Sequence, residues 1–223
     1  MNIIAIIVAG GQGVRFGGPL PKQFLPLAGR PVLMHTIDAF SHIAREILVV
    51  LPEANFDTWR QLRLQHGFTT PHRIVEGGGT RFQSVKNALD TLDSDSGTLV
   101  AVHDGVRPLV DDALISRTVT AAMTHGAAVP VVPVTDSIRQ MDDDGHAHPL
   151  VRSTLRAVQT PQCFRLDALK HAYALPEDDT ITDDAMTYER LGKVVALVDG
   201  DPRNIKITRS ADLAIAEMLM HHG

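Results

Sequence analysis

Arg15 and Lys22 stand in the glycine-rich stretch Ala9-Gly10-Gly11-Gln12-Gly13-Val14-Arg15-Phe16-Gly17-Gly18-Pro19-Leu20-Pro21-Lys22-Gln23. A turn this poor in side chains exposes backbone N–H groups, and two cations added to it make a site for a polyanion. The spacing follows neither common phosphate loop. A Walker loop needs Lys and then Ser or Thr directly after its last glycine, but Gly18 is followed by Pro19. A dinucleotide fingerprint needs a third glycine where Phe16 stands. Both cations suit negative charge building on phosphate oxygens in a transition state.

Two further stretches carry chemistry. In His103-Asp104-Gly105-Val106-Arg107-Pro108 an aspartate closes an apolar run. Mg²⁺ takes one or two carboxylates together with phosphate oxygens and water, so Asp104 is the candidate metal ligand. Gly77-Gly78-Gly79-Thr80-Arg81-Phe82-Gln83-Ser84 opens a helix whose first N–H groups face a ligand, with Ser84 in reach of a base or ribose. Arg107, Arg152 and Lys206 are single cations far apart along the chain. Asp142-Asp143-Asp144 reads as a solvated turn, and His146 with His148 as decoration of it. Neither a G-x-S-x-G elbow nor a Cys–His pair offers a nucleophile.

The elements that position these residues alternate in type. Residues 2–8 read as a buried strand running into the first loop. Pro31 to Phe40 reads as a helix with Pro31 at its first position. Glu46 to Leu51 reads as a strand, Phe56 to His66 as a helix, and Arg73-Ile74-Val75 leads into the glycines. Arg81 to about Leu92 is helical, with Phe82, Val85, Ala88, Leu89 and Leu92 on one face. Thr98 to Val102 is a strand, Asp111-Asp112-Ala113 opens a helix to about His125, and Ala127 to Val134 is a strand.

Continuous Val/Ile/Leu runs between amphipathic helices predict an α/β fold: a Rossmann-like, mostly parallel sheet with helices on both faces. Ligands then bind at the carboxyl ends of the strands, so the loops after residues 8, 75 and 102 converge. Residues 136–157 break the rhythm and read as a projecting β-hairpin arm, with His148 to Val158 as its return. Such an arm needs something to pack on, a second subunit being one candidate. Helices near 166–173 and 183–191, a strand from Lys193 to Val198, the segment Asn204-Ile205-Lys206-Ile207-Thr208 and a last helix from Ser210 complete the expectation of one domain over 1–223.

Composition limits the partners. The 223 residues are 44% hydrophobic and 21% charged, with a formal net charge of −5. That balance gives no general attraction for nucleic acid or an acidic membrane, so the cations act locally. Cys163 is the only cysteine, which excludes an intrachain disulfide and fits a reducing compartment. No apolar run approaches the roughly 20 residues needed to span a bilayer, and the expected location is the cytoplasm.

Taken with the loop from Ala9 to Gln23, the segments Gly77 to Val85, His103 to Pro108, Thr160-Pro161-Gln162 and Asn204 to Thr208 carry a resemblance. Their order resembles the sugar-phosphate nucleotidyltransferases and, among these, the 2-C-methyl-D-erythritol 4-phosphate cytidylyltransferases of the non-mevalonate isoprenoid pathway. The resemblance implies that CTP and 2-C-methyl-D-erythritol 4-phosphate give the CDP-alcohol and pyrophosphate, the substrate phosphate attacking the α-phosphorus in line. It implies that Arg15 and Lys22 stabilise the α-phosphate and the leaving pyrophosphate, and that Asp104 helps place Mg²⁺. Ala9, Gly10, Gly11, Gly13, Gly78 and Ser84 would bind the nucleoside of CTP. Arg152 and Lys206 would position the attacking phosphate, and Arg107, Ser137, Thr160 and Thr182 would line the polyol site. It also implies a homodimer in which the arm embraces the partner, an arrangement that leaves Arg152 to act either in its own active site or in the neighbouring one. Ser137 stands where the family often has threonine, and Gly79 where an acidic residue is frequent. Ribitol-5-phosphate cytidylyltransferases share nearly all these motifs, and a non-catalytic nucleotide-binding domain is the further alternative.

Overall fold

A computed structural model describes residues 2–11, 20–93 and 97–221. Gly13 and Arg15 lie outside the described residues. The first half alternates strand and helix: β1 (Ile3–Val8), the short pair β2 (Pro26–Leu27) and β3 (Arg30–Pro31), α1 (Val32–Phe40), β4 (Glu46–Leu51), α2 (Phe56–Gln65), β5 (Arg73–Glu76), α3 (Arg81–Asp90) and β6 (Leu99–Asp104). The second half has α4 (Asp112–His125), β7 (Ala127–Pro133), β8 (Arg139–Met141), β9 (Ala147–Pro149), β10 (Arg156–Val158) and β11 (Gln162–Arg165). It ends with α5 (Leu166–Tyr173), α6 (Asp184–Glu189), β12 (Ala196–Asp199) and α7 (Ser210–His221).

Eight strands form one mixed sheet in the order β10-β7-β11-β6-β1-β4-β5, with β12 also on β7. The β6–β1–β4–β5 half is parallel throughout. Strand periodicity explains how helices cover both faces. Ile3, Ala5 and Ile7 of β1 point into one core with residues of α1, α2 and α4. Ile4 and Ile6 point into the other, with residues of α3, α5 and α6. A strand buried on both faces needs apolar residues at every position, which is why these segments read as unbroken runs.

The expected mostly parallel, helix-covered sheet is therefore found, with four differences of detail. First, β11 is an antiparallel strand inserted between β6 and β7, where no strand is expected from the sequence. Cys163, one of its two inner residues, is fully buried. Second, Pro31 is not helical: its backbone is extended (φ −51°, ψ 137°) and pairs with Pro26, so α1 starts one residue later. Third, β12 begins at Ala196 rather than Lys193. Fourth, the hairpin is shorter than expected. β8 and β9 pair across the Asp142–His146 turn, but the return does not reach Val158. Instead β10 joins the main sheet, pairing with the far end of the same β7 edge that β11 occupies. No helix among the described residues is long and apolar enough to cross a membrane.

Helix α4 shows how local chemistry sets the boundaries. The Asp111 carboxylate accepts the Leu114 N–H at 2.7 Å, while Gly126 at φ +89° ends the helix by donating to the Ala122 carbonyl. Of the two adjacent aspartates, Asp111 makes the capping bond and Asp112 has only the helix dipole to favour it. Asp111→Ala should lower the free energy of unfolding by about 1 kcal/mol, and Asp112→Ala by a few tenths. Urea denaturation of both variants checks the order; equal losses would remove Asp111 as the cap.

Candidate active site

Four parallel strands end nearly level. Val8 is paired with Asp104 on one side and with Val50 on the other, and Leu51 is paired with Glu76. The backbone bonds continue one step past the strands: Ala9 donates to the Val50 carbonyl, Gly77 to Leu51 and Gly105 to Val8. The loops after residues 8, 76 and 104 thus emerge side by side at the carboxyl edge, as sheet topology requires.

Close approach explains two of the glycines. A Cβ on Gly105 would lie 2.9 Å from the Ala9 Cβ and 3.2 Å from the Val8 carbonyl oxygen. One on Gly78 would fall 2.0 Å from the Gln83 Cγ. The Gly77–Thr80 turn is braced from below by Ser84, whose buried hydroxyl donates to the Thr80 carbonyl and accepts the Gly78 N–H. Thr80 in turn caps α3 by accepting the Gln83 N–H at 3.0 Å. Ser84 thus lines the cleft with its single proton committed to Thr80.

Lys22 is held by its neighbours. Gln23 is fully buried and donates to the Ala9 carbonyl at 2.8 Å, and the buried Phe24 ring stacks on Trp59 with centroids 6.0 Å apart. The backbone is therefore fixed with the Lys22 chain crossing Gly11: a Cβ there would be 3.4 Å from Lys22 Cε and 3.9 Å from Nζ. A cleft of about 240 Å³ opens between these parts. Ala9, Gly10, Gly11, Lys22, Gly78, Thr80, Arg81, Ser84, Asp104 and Lys206 line it.

A second cleft adjoins the first and shares Arg81, Asp104 and Lys206 with it. Arg107, Val158, Gln159, Thr160, Gln162, Thr182 and Asp183 complete its wall. Asp104 stands at the junction. Its Oδ2 accepts Lys206 Nζ at 2.9 Å and Arg107 Nε at 3.3 Å. Burial alone would raise this carboxyl's pKa, but the charges of Lys206, Arg81 and Arg107 outweigh it and hold the group well below the ordinary range. Lys206 arrives from a segment without regular structure, fixed where Ile207 donates to the Val106 carbonyl.

Behind Asp104 runs a buried chain of hydrogen bonds. The Thr160 hydroxyl accepts the Asp104 N–H at 3.1 Å and lies 3.0 Å from His103 Nδ1. His103 Nε2 is 3.1 Å from the Arg107 carbonyl, which can only accept. Nε2 therefore carries the proton, and Nδ1 accepts from Thr160. Burial lowers the His103 pKa to about 4, so the ring stays neutral. Arg107 is anchored again by its NH1 bond to the Asn204 carbonyl, and Asn204 donates to the Thr160 carbonyl.

The residues expected from sequence thus divide. Lys22, Asp104, Lys206, Ala9, Gly10, Gly11, Gly78 and Ser84 share the first cleft; Arg107, Thr160 and Thr182 line the second. Ser137 and Arg152 line neither. Both are exposed near the base of the hairpin, where Arg152 donates to the Thr135 carbonyl at 2.6 Å. Gly13 and Arg15 lie outside the described residues. Arg81, which lines both clefts, was given no role from sequence. Its position three residues after Gly78, at the mouth of a helix, was the available signal. Asp184, which pairs with it, had none.

The comparisons agree along the whole chain. The family model described as 2-C-methyl-D-erythritol 4-phosphate cytidylyltransferase matches residues 3–222. A protein of that name from Bacteroides thetaiotaomicron is 45% identical over 222 residues, covering 99% of this chain and 100% of its own. One from Bacteroides fragilis is 44% identical over 218 residues, covering 97% and 98%. The crystal structure of the enzyme of that name from Thermus thermophilus is similar to this fold with a TM-score of 0.78 at 35% identity, covering 99% of this chain and 100% of that one. The 4-diphosphocytidyl-2C-methyl-D-erythritol synthase of Anaerococcus prevotii reaches 0.83 at 30% identity, covering 99% and 96%.

The depressed Asp104 carboxyl has a consequence for stability. A group whose pKa is lower folded than unfolded adds stability above its ordinary value, near 3.8, and loses it as pH falls toward the depressed value. Denaturation midpoints measured from pH 6 down to pH 2.5 should therefore decline in the wild type. They should decline less steeply in Lys206→Met, where the strongest opposing charge is gone. Parallel curves would detach Asp104 from the acid lability.

Proposed function

Because the chain belongs to the 2-C-methyl-D-erythritol 4-phosphate cytidylyltransferase family, we propose that it transfers a cytidylyl group from CTP to 2-C-methyl-D-erythritol 4-phosphate, releasing pyrophosphate. The enzyme is a nucleotidyltransferase of the non-mevalonate isoprenoid pathway. The observation that carries the reading is the pair of adjoining clefts that share Arg81, Asp104 and Lys206. One is floored by glycine backbone, and the other is rimmed by Arg107 and hydroxyl groups. A domain that only bound a nucleotide would have no use for the second.

The chemistry asks for positioning and charge rather than a covalent intermediate. The acceptor phosphate oxygen forms a bond to the α-phosphorus of CTP while the bond to the bridging oxygen of pyrophosphate breaks. Two anions must first be held against their repulsion, and a positioned pair gains most of its rate from that. Lys22 over Gly11, together with Arg15, would carry the triphosphate and the charge that develops on it. Lys206, between the clefts, would hold the incoming phosphate. Arg107 and Thr182 would contact the polyol. Thr160, its proton committed to His103, would act by holding Asp104 and Arg107 in place.

Asp104 is the one carboxylate among the described residues lining the first cleft, and no group of three or more metal-ligating side chains stands there. That donor set fits Mg²⁺, which takes few protein ligands when triphosphate oxygens and water supply the rest. When bound, the ion supplies Lewis-acid neutralisation of the phosphates. Lys206 and Arg107, already on Asp104, would keep the carboxylate ionised and aimed at the junction.

Arg152 and Ser137 would act in the second subunit of a homodimer, their hairpin reaching the partner's acceptor cleft. Their exposure and their place outside the lining of this chain's own two clefts support that arrangement. Lys22→Ala and Arg152→Ala should each lose nearly all turnover, the second chiefly through the acceptor. Mixing the two variants should then restore about a quarter of wild-type activity, because each hybrid dimer regains one intact site. Two inactive variants that stay inactive when co-refolded would put Arg152 outside the partner's site. Pyrophosphate release from CTP, Mg²⁺ and each acceptor in turn tests the reaction. Turnover with ribitol 5-phosphate in place of methylerythritol phosphate would reassign the acceptor.

A further inference from the structure

Arg81 opens α3 directly after the glycine turn, yet its guanidinium belongs equally to the far side of the site. Two parallel bonds join it to Asp184 of α6: NH1 to Oδ1 at 2.8 Å and NH2 to Oδ2 at 2.6 Å. Asp184 is fully buried, and the buried Tyr173 hydroxyl of α5 donates to its Oδ1 at 2.5 Å. An unpaired carboxylate in that position would be costly, so the pair and its third member stand or fall together. The Arg81 side chain retains 29% exposure, on the side that lines both clefts. Burial alone would lower its pKa, but the Asp184 charge prevails and Arg81 stays protonated.

The residues around Asp184 are arranged for the same task. Thr182, two positions earlier, lines the acceptor cleft. Asp183 caps α6 through the Met186 N–H and accepts Gln162 Nε2 at 3.0 Å. Gln162 in turn accepts the Ala185 N–H at 2.9 Å. The stretch 182–184 is thus tied to the sheet through Gln162 and to the nucleotide-side turn through Arg81. A bidentate guanidinium–carboxylate pair fixes angle as well as distance, which a lysine could not do.

We infer that Asp184 and Tyr173 are positioning residues that lock Arg81 as a rigid clamp between the two clefts, setting how the acceptor side is aligned with the nucleotide side. This deepens the proposed transfer reaction and rests on it. Each cleft keeps its own binding groups if the clamp is loosened, so binding of either substrate alone should change little. Their mutual alignment should suffer, and alignment enters kcat.

Tyr173→Phe, which removes one hydroxyl from a buried ring, and Arg81→Lys, which keeps the charge but not the fork, are the variants to measure. We expect kcat to fall about 5-fold in Tyr173→Phe and about 100-fold in Arg81→Lys, with the KM for CTP and for the acceptor phosphate each within about 2-fold. Wild-type kcat in Arg81→Lys, or a rise confined to the KM for CTP, would overturn the clamp. A second readout needs no turnover. Amide hydrogen exchange in Tyr173→Phe should speed up at residues 78–83 and 182–186 together, and acceleration at one segment alone would overturn the coupling. If the wild type turns over neither acceptor, the reaction assigned above fails; the exchange experiment still decides the clamp.

Discussion

An ionised carboxylate buried at the end of β6 has to be compensated, and that requirement organises the site. Asp104 draws Lys206 and Arg107 onto one oxygen and lies within the field of Arg81. These residues come from three distant parts of the sequence. Without the anion, Lys206 and Arg107 would repel each other; with it, they stand assembled before any phosphate arrives. A site for two phosphorylated substrates needs excess positive charge, and two fixed anions, Asp104 and the Asp184 that holds Arg81, let that charge be concentrated without splaying the loops.

Support for Asp104 is neutral, which matters as much as the ion pairs. His103 sits in the same strand with its ring buried, joined to Thr160 and to the Arg107 carbonyl. A charged imidazole there would compete with Lys206 for Asp104. Burial keeps it neutral, so it serves as a fixed donor and acceptor linking β6 to the start of β11. The second cleft is thereby framed by bonds that do not change while the ring stays neutral.

Much of this was legible in the sequence because strand burial and glycine loops have local signatures. The runs Ile3–Val8, Glu46–Leu51 and Leu99–Asp104 announce buried strands, and the loops that follow them converge as their topology dictates. What stayed illegible depends on partners far away. The four residues Gln162–Arg165 are too short and too mixed for periodicity to mark them as a strand; only the slot between β6 and β7 makes them one. Residues 156–158 alternate plausibly as a hairpin return, but the free edge of β7 captures them. Arg81 and Asp184 are 103 positions apart, and no local pattern ties a helix-opening arginine to a buried aspartate in α6.

The seam between the parallel and antiparallel parts of the sheet also carries an internal probe. Cys163 lies on it, paired with Ala101 on one side and Ala128 on the other, with burial pushing its thiol pKa well up. The sulfur is fully buried while the sheet is closed. Alkylation of the chain's single sulfhydryl therefore times the separation of β11 from its neighbours, the motion that would dissolve the wall shared by the two halves of the molecule.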